Sequence, residues 1–169
     1  MAWEYMSTLD YRYKNANKVL QELEVENLGH VIELCSGNTQ CAKYLTIPFE
    51  SYKACDLAMP ESIPKGVDFF QIPVEDFVHD KVNSCDVLFV FGHGGYEITN
   101  EPLESKFLTA CMHEIIDEHN PGIIILEMVK RFEEIGKNFI KDSEYILYET
   151  IYNKNDNWLE DRVMFVLRR

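Results

Sequence analysis

His30-Val31-Ile32-Glu33-Leu34-Cys35-Ser36-Gly37-Asn38-Thr39 decides how the rest of the chain is read. It is a short apolar run carrying one acid, closed by small polar residues around a glycine. The residues before it have another period. Leu9, Tyr13, Ala16, Leu20 and Leu23 recur at spacings of four and three, which makes one apolar helical stripe. Ser7 and Asp10 resemble a capping box at the start of that helix, and Asn27-Leu28-Gly29 ends it with a glycine able to turn left-handed. Downstream of the run, a short helix is expected from Thr39 to Leu45, stopped by Pro48.

The same alternation continues. Strands are expected at Ser51–Cys55, Val67–Ile72, Asp86–Phe91 and Ile123–Leu126. Asp86–Phe91 is apolar on both faces, as a central parallel strand must be. Between the strands lie a proline-bearing loop (59–66), a turn or short helix (Val74–Val78), and helices over Leu103–His119 and Val129–Ile140. The tail differs. Tyr145–Tyr152 and Arg162–Leu167 read as an antiparallel pair joined by the turn residues of 153–157. The whole is an α/β, doubly wound, mainly parallel seven-stranded sheet with a C-terminal antiparallel pair and helices on both faces. No repeat or linker divides it, so residues 1–169 are expected to form a single domain, a helix over 1–28 and an α/β core over 29–169.

Composition narrows the function. Sixteen basic residues against twenty-nine acidic ones give a net charge of −13. A nucleic-acid binder needs a basic patch to displace counterions, and none is present, so a small molecule, a cationic ligand or a protein partner fits better. No apolar run approaches a membrane span, and Met1–Tyr5 lacks the basic start and apolar stretch of a secretory signal. The expectation is a cytoplasmic protein. Its five cysteines have no C-x-x-C spacing and read as reduced thiols, and His113 and His119, six apart on one helix, make a poor metal pair.

In a doubly wound sheet the ligand sits beyond the carboxyl ends of the strands, where strand order reverses. Asp56 ends the second strand nineteen residues after Gly37, the spacing at which a carboxylate holds a ribose diol. Asp56 as a plain cap for the following turn is the competing reading.

These elements and residues resemble the class I S-adenosylmethionine-dependent methyltransferases, from His30 to Leu167. The acid and glycine-rich turn match at Glu33–Thr39, the second acid at Asp56, the polar stretch after the third strand at Pro73–Asp76, and the Asp-led strand at Asp86–Phe91. The terminal antiparallel pair separates that family from nicotinamide-binding domains. Cys35 and Thr39 stand where the family usually has glycines, and Pro73 where it often has Asp. The resemblance implies S-adenosylmethionine as cofactor and S-adenosylhomocysteine as product. It implies a cofactor site of Glu33, Cys35, Ser36, Gly37, Asn38, Thr39, Asp56, Leu57, Val74 (through its backbone N–H), Glu75, Phe91 and Gly92, with no metal. An acidic pocket suits a cationic sulfonium. A general base would come from His93, Tyr96 or Glu97, and His93 is the one whose ordinary pKa lies near neutrality. A solvent-exposed loop histidine is the plainer reading of His93, and a Cys35–His93 thiol–imidazole pair is conceivable. The substrate would be a small molecule or a protein side chain. Trp3 and Tyr5 either lid the pocket or anchor the first helix. A catalytically silent module, acting as a cofactor sensor or partner subunit, and a homodimer both stay open.

Overall fold

The computed structural model describes residues 10–38, 40–93, 103–154 and 161–169, without the side chains of 92, 93 and 103–107. Seven strands form one sheet: β1 (His30–Leu34), β2 (Ser51–Cys55), β3 (Val67–Phe70), β4 (Val87–His93), β5 (Ile123–Val129), β6 (Ile146–Asn153) and β7 (Arg162–Arg168). Their order is β3-β2-β1-β4-β5-β7-β6, parallel except for β7, which runs antiparallel to both β5 and β6. The order reverses between β1 and β4, so the crevice opens at their carboxyl ends.

Helices cover both faces. α1 (Tyr11–Glu22) and α2 (Cys41–Tyr44) pack on one, burying Tyr13, Ala16, Val19, Leu20 and Cys41 against Val31, Tyr52, Phe89, Phe91, Ile125 and Met164. α3 (Val74–Lys81), α4 (Leu103–His119) and α5 (Glu133–Lys141) pack on the other, bringing Phe77, Met112, Ile115 and Phe139 onto Ile32, Leu34, Leu88, Ile124 and Phe165. β7 is buried from Arg162 to Leu167 because both layers reach it. Among the described residues, no helix is long and apolar enough to cross a membrane.

Several boundaries differ from the sequence reading. Asp10 occupies the N-cap of α1 without capping through its side chain; its carboxylate accepts from Tyr44 and pairs with Lys14. Ser7 and Leu9 lie outside the described residues. α1 ends at Glu22, with Glu24 rather than a glycine in the left-handed region (φ 57°). Gly29 is left-handed too (φ +65°), but it serves the entry to β1: a Cβ there would stand 2.3 Å from Asp86 Oδ2, the atom that accepts the His30 N–H.

β1 stops at Leu34 and β3 at Phe70, one and two residues early, while α3 runs on to Lys81. β6 is shifted one residue on, so Asn153 belongs to the strand and pairs Arg162. The largest change is at β5. It continues to Val129 because β7 keeps pairing it as far as Arg162; Lys130–Phe132 then make a 3-10 turn, and α5 starts only at Glu133. The expected helix from Val129 yields to a strand whose hydrogen bonds β7 supplies.

Candidate functional site

The crevice begins at a turn held from below. Cys35 leaves β1 in the left-handed region (φ 53°), and Gly37 is left-handed as well (φ 56°). Few side chains accept that conformation, so Cys35 keeps the backbone path of a glycine with a Cβ added. The Ser36 N–H donates to the Cys55 carbonyl at 2.9 Å, and the Gly37 N–H to Asp56 Oδ2 at 2.8 Å. Asp56 Oδ1 accepts the Ala58 N–H at 3.1 Å. The acid after β2 thus clamps the turn after β1 and starts its own loop. This is the capping reading; a carboxylate has about four lone-pair directions, so a diol can still be accepted.

The loop after β2 closes one wall. The Glu61 N–H donates to Asn38 Oδ1 at 2.8 Å. Gln40 donates to the Asn38 carbonyl at 2.7 Å, so Asn38 ties the turn to both neighbours. Leu57, Met59 and Ile63 stand well exposed on this loop, Leu57 at 71%. Beyond β3 the chain enters α3, where Val74 is half-buried and Glu75 exposed.

Beneath the turn lies a buried acid. Glu33 is fully buried, and Tyr52 OH donates to its Oε2 at 2.5 Å. Its Oε1 has no partner among the described residues. Burial pushes its pKa up to about 8, against the Tyr52 hydrogen bond and the nearby Arg12, which both favour the charged form.

A second buried acid, Glu127, sits near the carboxyl end of β5, opposite Phe91 of β4 and Met164 of β7. Arg162 donates to its Oε1 at 2.9 Å, and Arg12 of α1 reaches Oε2 at 3.4 Å. Arg12 also donates to Tyr13 OH at 2.7 Å and lies over the Tyr13 and Phe91 rings. Arg12, Glu127 and Arg162 are each at most 1% exposed. The sequence reading missed this triad. Its signal was charge at inward positions: Arg12 beside the apolar stripe of α1, and Glu127 inside a run of Ile, Leu, Met and Val.

The structure therefore gathers Glu33, Cys35, Ser36, Gly37, Asn38 and Asp56 at one place, with Phe91 buried against Tyr13 beside them. His93 is not a loop residue. Its backbone belongs to β4 opposite Met128, after a register irregularity between Phe91 and His93 that spans Gly92. Its side chain lies outside the described residues, as do Thr39, Tyr96, Glu97, Trp3 and Tyr5, and with it the Cys35–His93 pairing. No cysteine is in a disulfide, and all are buried except the half-buried Cys35. No group of metal-binding side chains occurs among the described residues. His113 instead meets the Phe139 ring, and His119 meets Glu118.

No family model and no curated protein matches the sequence. Solved structures do match the fold. One is 1,6-didemethyltoxoflavin-N1-methyltransferase from Burkholderia thailandensis, with bound 1,6-didemethyltoxoflavin and S-adenosylhomocysteine. It has a TM-score of 0.70 and 12% identity over 97% of this chain and 80% of that one. The N-methyltransferase NodS from Bradyrhizobium japonicum WM9 matches with a TM-score of 0.66 and 10% identity, over 95% of this chain and 97% of its own. An S-adenosylmethionine-dependent methyltransferase from Clostridium acetobutylicum ATCC 824 gives 0.64 and 9% identity, over 98% and 95%. The chain has the class I, Rossmann-like methyltransferase fold.

Proposed function

We propose that the chain is an S-adenosylmethionine-dependent methyltransferase acting on a small molecule or a protein side chain. One observation carries this reading: a fully buried carboxylate, Glu33, keeps an oxygen without a partner directly under a glycine turn at the switch point of the sheet. A buried acid left half-satisfied is stabilised by a cation brought to it. The cofactor supplies an electrophilic methyl on a sulfonium and carries its own leaving group, so the protein mainly positions and desolvates.

The residues present fit that task. Cys35 and Gly37 give the turn its left-handed path. Glu33 would face the positively charged end of the cofactor. Asp56, already oriented by Gly37 and Ala58, would accept the ribose hydroxyls. Leu57, exposed beside it, would cover the adenine, with Val74 and Glu75 of α3 on the far side. Phe91 and Gly92 would floor the methyl-transfer end, and His93, Tyr96 or Glu97 would take the acceptor's proton.

Titration calorimetry with S-adenosylmethionine and S-adenosylhomocysteine tests the reading. Saturable binding of both by the folded protein is expected; binding of neither overturns it. A silent sensor or partner subunit is favoured by the Cβ at Cys35, where the turn is tightest. Cofactor binding without S-adenosylhomocysteine release across a panel of amine, hydroxyl and thiol acceptors would select that alternative.

A further inference from the structure

Cys35 is the one partly exposed thiol of the chain, and it stands where backbone strain would favour glycine. Cys55 ends the neighbouring strand. The pairing of Glu33 with Ala54 sets Cys55 opposite Leu34, one residue from Cys35. Strand spacing and rise then put the two Cα atoms roughly 6 Å apart. A disulfide needs about 4.4–6.8 Å. Packing agrees with the register: Cys35 lies against the core cluster that contains Cys55, and the Cys55 carbonyl holds the Ser36 N–H at 2.9 Å. The Cys55 thiol itself lies against the Cys35 main-chain N–H.

We propose that Cys35 and Cys55 form a reversible disulfide on exposure to a hydroperoxide, and that this bond closes the cofactor crevice. The gating half rests on the function proposed above. The chemistry follows exposure. The Cys35 sulfur attacks one peroxide oxygen; the O–O bond breaks, leaving a sulfenic acid and releasing water or the corresponding alcohol. The Cys55 sulfur then attacks the Cys35 sulfur, the S–O bond breaks, and the hydroxyl leaves with the Cys55 proton as water. The Cys55 thiol is pushed up by burial and by Cys35 beside it, so it resolves rather than initiates. A dithiol returns both cysteines to thiols by exchange, leaving as its own cyclic disulfide.

Geometry links the bond to the site. A disulfide needs Cβ atoms about 3.8 Å apart. Cys35 opens the turn that Ser36 and Gly37 tie to Cys55 and Asp56. Drawing its Cβ down onto β2 drags those residues with it.

The test uses the full chain, reduced and then treated with stoichiometric hydrogen peroxide. Non-reducing peptide mapping should find Cys35 linked to Cys55 with the loss of two hydrogens, reversed by dithiothreitol. S-Adenosylhomocysteine affinity should fall at least tenfold on oxidation and recover on reduction. In Cys55→Ala, affinity should no longer fall tenfold with peroxide, because no resolving thiol is present; if that variant fails to fold, the peptide map of the native chain decides alone. Cys35 over-oxidised to sulfinic acid beside a Cys55 left as a thiol would overturn the bond. A mapped bond with unchanged affinity would overturn the gating. If the reduced chain binds no ligand, the function proposed above falls and the gating with it, while the map still decides the disulfide.

Discussion

Two glutamates, Glu33 on β1 and Glu127 on β5, lie on the same face of the sheet toward the same end of their strands, and neither is exposed. Their surroundings differ. Glu127 receives two guanidinium groups, one from the helix layer and one from the antiparallel strand. Glu33 receives one phenol, with Arg12 acting on it only at a distance. A buried charge met by opposite charges is a fastening; it joins α1, β5 and β7. A buried acid left half-met keeps an uncompensated oxygen, which is the feature the proposed function uses. Burial alone does not separate the two roles; the inventory of partners does.

The sharpest way to break this contrast is one substitution at both sites. Glu127→Gln leaves two buried guanidiniums without the carboxylate they share and should destabilise the fold by about 3–5 kcal/mol in urea unfolding at neutral pH. A loss under ~1 kcal/mol would mean that the triad fastens nothing.

Glu33→Gln should act in the opposite sense. The folded chain holds the Glu33 proton to about pH 8, whereas the unfolded chain releases it near 4.5. The native contribution is therefore full below pH 4.5 and is lost as pH rises toward 8. Between those values the wild type should lose on the order of 5 kcal/mol relative to Glu33→Gln, whose neutral side chain does not titrate. Parallel stability curves for the two proteins between pH 5 and 8 would refute the buried-acid account. Cofactor binding should also release a proton near pH 7 in the wild type, and not in the variant, read by calorimetry in buffers of different ionisation heat.

Asp56→Ala should weaken S-adenosylmethionine binding by about 1–3 kcal/mol, since it strands the Gly37 N–H along with the diol. Unchanged affinity in the folded variant would reduce Asp56 to a cap. The smallest effect belongs to Tyr52→Phe. It removes the side-chain hydrogen bond that Glu33 accepts from β2, should destabilise by about 1 kcal/mol, and should raise the Glu33 pKa further.

Much of this was legible in the chain, for reasons that can be named. β2 runs from Ser51 to Cys55 as expected, and β1 and β4 depart by a residue or two, because apolar runs of strand length between turn residues admit few other structures. The start of α5 was misplaced because Val129 and Lys130 fit a helical period equally well, and only pairing with β7 keeps Val129 extended. His93 was read as a loop residue because two glycines flank it; the neighbouring β5 recruits its backbone. Spacing brought Gly37 and Asp56 to neighbouring strand ends, where the Gly37 N–H meets the Asp56 carboxylate, since strand geometry fixes how far apart two carboxyl-end loops fall. The Arg12–Glu127–Arg162 triad was out of reach, because its members are 115 and 35 residues apart and share no local pattern.

The sequence by itself determined the layer order, the parallel sheet with its antiparallel tail, and the loops that meet at the switch point, since hydrophobic period and turn chemistry act between near neighbours. Only the tertiary structure decided which buried charge has its partners and which does not. That depends on groups brought together from distant segments in a low dielectric, where a single missing donor separates a fully partnered carboxyl group from a half-partnered one.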